Sequence, residues 1–301
     1  MDVFSIVSIC LVIGGLALVY YKRYPLAHSL VLINLAVYML TILSASWGES
    51  SSILPSVEEN LGFRPTYVDQ IDRYYTVLTS MFAHASMMHI LFNMIFLYLV
   101  GVALEERVGR KAFAIFYFTT GIAALLMESL FRGFDSTVLI LGASGAISGV
   151  MGALLYLYPK DEIPMFLGFF LLPRVPVWLS VGAWFAIQVV SVLTLTSGVS
   201  SGGIAYVAHI SGFVAGMALA QFLPGVEKEK KGAPRTDLSE LATTDELKGL
   251  WQRIDGENEP QVRQAWIEHF ASKARCPVCG GALILEGNRI KCACGWEKTV
   301  R

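Results

Sequence analysis

A serine set among glycines, Gly142-Ala143-Ser144-Gly145, stands at the mouth of an apolar run covering residues 141–158. A hydroxyl in that position is either a helix cap or a nucleophile, and a nucleophile needs a base that can reach it. His209 is the candidate base. Gly145, Gly149 and Ala153 recur every four residues beside Ser144, and Ala208, Gly212, Gly216 and Ala220 do the same beside His209. Small-residue stripes of this kind let two membrane helices approach closely, which would bring the imidazole to the hydroxyl. His89 and Asn93 are also four apart, so both project from one helix face toward a single point. An ionisable or amide side chain inside a membrane span costs a few kcal/mol and is a functional candidate by default; Glu128 belongs to the same class.

Plainer roles compete with these. A serine in a small-residue stripe can simply be packing, and a membrane histidine can be a hydrogen-bonded structural group; the combination of Ser144, His209 and the His89/Asn93 pair favours chemistry. A metal site built from His84, His89 and His209 is the other chemical option, but no HExxH is present to support hydrolytic metal chemistry. Aspartyl chemistry would need two core aspartates, and the apolar runs from residue 26 onward contain none.

A second constellation lies near the carboxyl end, where Cys276-Pro-Val-Cys279 and Cys292-Ala-Cys294 bracket two strand-like stretches, 282–286 and 289–292. Four thiolates on two turns suit a tetrahedral zinc ion. One residue separates the second pair where the zinc-ribbon pattern has two, and free or redox thiols are the alternative. The expected role of this Zn2+ is structural or partner-binding, not catalytic.

The elements that must position these residues follow from hydropathy. The chain is 54% hydrophobic and 16% charged, well below the roughly 25% charge of an ordinary soluble domain. A net charge of −1 gives no basic field for nucleic acid. About 20 apolar residues cross a bilayer as helix, and the runs 3–21, 26–45, 81–103, 112–131, 141–158, 175–195 and 204–223 qualify. The first has Asp2 before it and Lys22-Arg23 after it, the reverse of a cleavable signal peptide, so it is expected to be a retained span. Lys and Arg gather in alternate connectors and in the tail, which places the amino terminus outside and the tail in the cytoplasm. The connector 47–80, with Tyr67, Ile71, Tyr74, Tyr75 and Leu78 at helical spacing, predicts an amphipathic helix in the interface. Residues 164–176, broken by three prolines, predict a membrane-grazing turn. In the tail, Thr244-Asp-Glu-Leu predicts a capped helix carrying Leu247, Leu250, Trp251 and Ile254, followed by a second helix over 261–273.

Taken together, these motifs resemble the rhomboid intramembrane serine proteases over roughly residues 26–223. Gly142-Ala143-Ser144-Gly145 is similar to the family's GxSG, and His89 to Asn93 to its HxxxN. Residues 101–109, with Glu105 and Arg107, are similar to the segment that follows, and Ala208-His209-Ile210-Ser211-Gly212 with Gly216 to AHxxGxxxG. The resemblance implies Ser144 as nucleophile and His209 as general base, a dyad without a carboxylate. It implies oxyanion stabilisation by His89, Asn93 and backbone N–H at Ser144 and Gly145. It further implies water entry from the outer face, gated by the outer connector and the fifth core helix, and no cofactor for catalysis. One departure is Ser148, four residues after the nucleophile, where the family usually has an aromatic against the histidine; either another aromatic, for example Phe213 or Tyr206, fills that space, or the histidine is less firmly held.

The expected molecule is an all-α polytopic membrane protein: an extra amino-terminal helix (1–25), a six-helix core (26–224), a cytoplasmic linker and helical segment (225–274) and a zinc-ribbon-like module (275–301). Its expected partners are single-span transmembrane substrates, the lipid bilayer and a cytoplasmic protein for the tail. Its expected setting is a prokaryotic cell membrane. The competing reading is a catalytically silent relative that binds and escorts transmembrane clients. A small-solute transporter would want internal repeats, and none is seen.

Overall fold

The computed structural model describes residues 1–47, 56–167, 170–195, 206–222, 237–257, 260–287 and 289–300. It divides into two compact units, Met1–Lys228 and Glu229–Arg301, and each is described by itself. The uncharged connector 197–203 and the basic linker cluster at 228–235 lie outside the described residues.

The first unit is helical for the reason the hydropathy gave. Helices α1 (Val3–Lys22) and α2 (Leu26–Trp47) are separated by Arg23, whose left-handed φ of 58° closes the first helix. The amino end of α2 is capped from a distance: the Glu105 carboxylate accepts from the Leu26 and Ala27 N–H groups at 2.7 Å each. A buried carboxylate there answers both the unpaired N–H groups and the positive end of the helix dipole.

The connector is not one amphipathic helix. It is a chain of short pieces, α3 (Ser56–Leu61), a 3-10 turn at Pro65–Tyr67, another at Ile71–Arg73, and α4 (Thr76–Thr79). Pro65 supplies no N–H, and Phe63 leaves the helical path to make a two-bond bridge with Ile140 at 2.9 and 2.7 Å. Ile71 and Tyr74 remain outward, while Tyr67 lies edge-on to Phe63 and the Tyr75 hydroxyl donates to the Asn60 carbonyl at 2.9 Å.

Helix α5 (Met87–Phe96) starts six residues later than the apolar run predicts, because Ser86 is extended and its hydroxyl accepts from the His89 N–H at 3.2 Å. A π turn at Leu97–Gly101 leads into α6 (Val102–Arg132), which is broken at Gly109 (φ 78°, ψ 161°), a conformation that favours glycine. That break divides the third and fourth apolar runs. Arg107, just before it, donates to Asp161 at 2.5 Å and to the Ala103 carbonyl at 2.6 Å, tying the break to the next connector.

Helix α7 (Ser144–Leu157) runs into an antiparallel ribbon, β1 (Glu162–Leu167) with β2 (Phe170–Pro176). This corrects the expected turn. Proline cannot donate to a ladder, and the register shifts where Pro164 sits, between Ile163 and Met165, so the ribbon absorbs it as a bulge. Helices α8 (Val177–Leu195) and α9 (Tyr206–Phe222) complete the unit.

At the centre, α6, α7 and α9 meet almost backbone to backbone. A Cβ on Gly216 would fall 2.8 Å from the Gly149 Cα, one on Gly152 would fall 2.9 Å from the Phe213 carbonyl carbon, and one on Gly145 would fall 2.6 Å from the Ala124 Cβ. The small-residue stripes are therefore the contact faces. Around them pack Phe113, Phe116, Tyr117, Val150, Met151 and Phe213, while Ile13, Leu32, Ile187 and Val190 point outward, as lipid-facing side chains do.

The second unit holds α10 (Asp245–Gly256), capped by the Thr244 hydroxyl on the Leu247 N–H at 3.2 Å, α11 (Pro260–Lys273), and the sheet β3 (Leu283–Glu286), β4 (Arg289–Cys292), β5 (Glu297–Thr299). Leu247, Leu250, Ile254, Ile267 and Phe270 form its core against Leu283, Ile290 and Val300.

Candidate active site

Ser144 is the first residue of α7, and the preceding loop is held in place before the helix begins. The Gly142 N–H donates to the Ser80 carbonyl at 2.8 Å. Gly142 has φ 112°, and a Cβ there would lie 2.6 Å from His89 Nε2. Both the backbone conformation and the close imidazole exclude any other residue at this point. Gly142 thus lets the loop pass directly over His89.

His89 is fixed from both sides, with Nδ1 accepting from the Ala85 N–H at 3.4 Å and its ring 5.0 Å from that of His84. Asn93, one turn on, is buried, and its Nδ2 has no hydrogen-bond partner among the described residues. A buried donor without a partner is costly unless a ligand oxygen fills the position. Nδ2 lies 3.6 Å from the Cβ position of Gly142, so the free donor faces the loop that delivers Ser144.

His209 comes from the first turn of α9. The Ala208 N–H beside it donates to the Glu128 carboxylate at 2.9 Å, and Glu128 is itself paired with Arg132 at 2.6 Å. Glu128 therefore anchors the start of α9. His209 Nδ1 lies 2.8 Å from Gln188 Oε1 on α8. The aromatic expected against the histidine comes from two places: Trp184, with ring centroids 5.9 Å apart and tilted by 40°, and Tyr206, edge-on at 6.4 Å. Phe213 instead stacks on Phe185 at 4.2 Å. Ser148 takes no part in holding the ring; its buried hydroxyl donates to the Ser144 carbonyl at 2.6 Å.

One cavity of about 500 Å³ gathers these groups, lined by Ser144, His209, His89 and Asn93 together with Met88, Phe92, Phe96, Met151 and Trp184. Three polar donors or acceptors and a hydroxyl thus face one apolar-walled space, the usual composition of a site that binds and orients a ligand. Gly145 adjoins it, on the contact of α7 with α9.

The Rhomboid domain family model matches residues 72–225. The chain belongs to the rhomboid family. Among curated rhomboid proteins, it is 28% identical over 224 residues to Rhomboid protein 1, mitochondrial, of Saccharomyces cerevisiae, covering 70% of this chain and 58% of that protein. It is 32% identical over 143 residues to Rhomboid protease AarA of Providencia stuartii, covering 42% and 49% respectively. With Rhomboid protease GluP of Bacillus subtilis it shares 36% over 83 residues, 28% of this chain and 16% of that one. The chain thus spans less than two thirds of the length of these relatives. With the apolar helices above, the family makes this rhomboid a polytopic integral membrane protein.

Sequence patterns missed Gln188 and Trp184 on α8. Both sit in an otherwise apolar run, and the amide at Gln188 was the one visible signal, of the same class as Asn93.

In the second unit the four cysteines are free, and their sulfurs all lie within 4.8 Å of one another. Cys276 and Cys294 are 3.6 Å apart, Cys279 and Cys292 3.4 Å. Sulfurs about 2.3 Å from one zinc would be about 3.8 Å from each other, so the donor set fits that metal. The short Cys292-Ala-Cys294 knuckle still brings its second sulfur into the group. Burial opposes ionisation of Cys276, but the Cys279 and Val278 N–H groups and the neighbouring thiols bring it down to about 7. The Cys294 N–H pulls Cys292 down, yet burial and the other thiols push it up to about 12. Four sulfurs gathered this closely, with Cys276 eased toward ionisation, are a soft-metal donor set. Among the described residues no other group of three or more histidine, cysteine or acidic side chains is close enough to share a metal.

Proposed function

We propose that this rhomboid is an intramembrane serine endopeptidase acting on single-span transmembrane proteins. The observation that carries the reading is the cavity shared by Ser144, His209, His89 and Asn93, with Asn93 Nδ2 lacking a partner among the described residues. In this reading Ser144 Oγ attacks the scissile carbonyl while His209 takes its proton and later returns it to the leaving amine. The developing oxyanion is met by the Asn93 and His89 side chains and by backbone N–H at Ser144 and Gly145, where the amino end of α7 adds its dipole. A neutral amide beside His209 stands in place of a carboxylate, so the pair works as a dyad. The apolar walls, Met88, Phe92, Phe96 and Met151, suit a segment that has left the bilayer, and the named proteases among the relatives support the same class of reaction.

In this reading the cavity faces the outer side and the tail the cytoplasm, an orientation that the positive-charge bias favours. Zinc bound by Cys276, Cys279, Cys292 and Cys294 would hold the small tail module together, supplying a cross-link its short strands lack, with a cytoplasmic protein as the partner for the tail. The test is a serine-directed fluorophosphonate probe on the full chain in detergent, read by mass spectrometry. The adduct is expected on Ser144 and is lost in His209→Ala; labelling elsewhere, or undiminished in His209→Ala, contradicts the reading.

A further inference from the structure

A base that takes a proton from Ser144 through Nε2 must carry its own proton on Nδ1, and a buried Nδ1–H needs an acceptor. From the geometry around His209 we infer that Gln188 is the positioning residue that sets this tautomer and ring orientation. The inference rests on the serine-protease reading. Gln188 Oε1 lies 2.8 Å from Nδ1, and the residue is only 8% exposed. It sits one helical turn beyond Trp184, so one face of α8 presents two residues to the imidazole, a ring face and an acceptor. The next rung down repeats the arrangement: Phe213, one turn beyond His209, stacks on Phe185 at 4.2 Å and 18°. These two rungs fix the register of α8 on α9, and with it the place of the amide.

Among the described residues, no charged side chain bonds Nδ1. The Glu128 carboxylate on α6 is engaged by Ala208 and Arg132, His89 approaches from α5 across the cavity, and Tyr206 is edge-on from the same helix. Helix α8 carries no titratable side chain, and α7 carries only Tyr156. An amide acceptor orients the ring without adding a charge to a site flanked by lipid.

The test uses the full chain in proteoliposomes with a single-span reporter. It compares wild type, Ser144→Ala, Gln188→Met (same length, no acceptor) and Gln188→Glu (acceptor retained), with 15N spectra of the histidines in each. Gln188→Met is expected to lower kcat by about 10- to 100-fold with KM within about twofold, the scale of one hydrogen bond to a group that becomes charged. Gln188→Glu should recover at least tenfold of that loss. Wild-type His209 should be protonated at Nδ1, and the Met variant should shift toward Nε2. A Gln188→Met kcat within twofold of wild type, or equal losses in Met and Glu with no change of tautomer, would overturn the inference. Should Ser144→Ala cut as fast as wild type, the protease reading fails instead, and the tautomer shift alone still decides for or against Gln188.

Discussion

Asn93 holds a donor that nothing among the described residues uses, and His89 stands beside it under the loop that carries Ser144. If both meet an oxyanion, their effect is confined to the transition state. Asn93→Ala and His89→Ala should each lower kcat by about 10²- to 10³-fold while KM changes little; steady-state kinetics on a single-span reporter reads this, and a change in KM alone would assign them to substrate binding. Glu58, in the outer connector, makes a different kind of prediction. It is buried, and desolvation raises its carboxyl from the ordinary 4.5 to about 7. Between those values the unfolded chain has released the proton and the folded chain still holds it. The stability this contributes is complete below pH 4.5 and is lost as pH rises through 7. Glu58→Gln should therefore remove a fall of up to about 3 kcal/mol between pH 4.5 and 7, measured as unfolding midpoints at pH 5 and 8.

The helices were legible where hydropathy decides and illegible where a backbone detail does. The stripes Gly145/Gly149 and Gly212/Gly216 marked the α7–α9 contact from spacing alone, because only small residues permit that approach. Gly216→Ala should then be costly, by about 1–3 kcal/mol or more, since its Cβ has no room beside Gly149. Gly14→Ala on α1, with open space around it, should be neutral or slightly stabilising; thermal unfolding in detergent compares the two. The ribbon of β1 and β2 escaped sequence reading because three prolines argue against a strand unless a bulge absorbs them. The broken connector escaped it because aromatic spacing over 67–78 mimics one helix, whereas the backbone there runs through separate 3-10 turns before α4. Ser144, His209, His89 and Asn93 were readable as polar groups in apolar runs. Gln188 is of the same kind, yet its role depends on the register between α8 and α9, which no spacing within one run encodes.

Over the whole molecule, the rhomboid unit and the tail unit have separate cores and separate chemistry. The site's residues all belong to the first unit, and the cysteine quartet to the second. Replacing Cys279 and Cys294 with serine should take bound zinc from about one equivalent to none by elemental analysis and unfold the tail. Reporter cleavage by the same protein should stay within about threefold of wild type; loss of cleavage on zinc removal would tie the metal to the membrane site. The central claim is that Ser144 and His209 cut a transmembrane segment, and reconstitution tests it most directly. Wild type, Ser144→Ala and His209→Ala are placed in liposomes with a single-span reporter, and cleavage is followed by gel and mass spectrometry. The account predicts one defined cut by wild type and at least about a 10³-fold loss in each variant; equal cleavage by all three, or none by wild type, would contradict it.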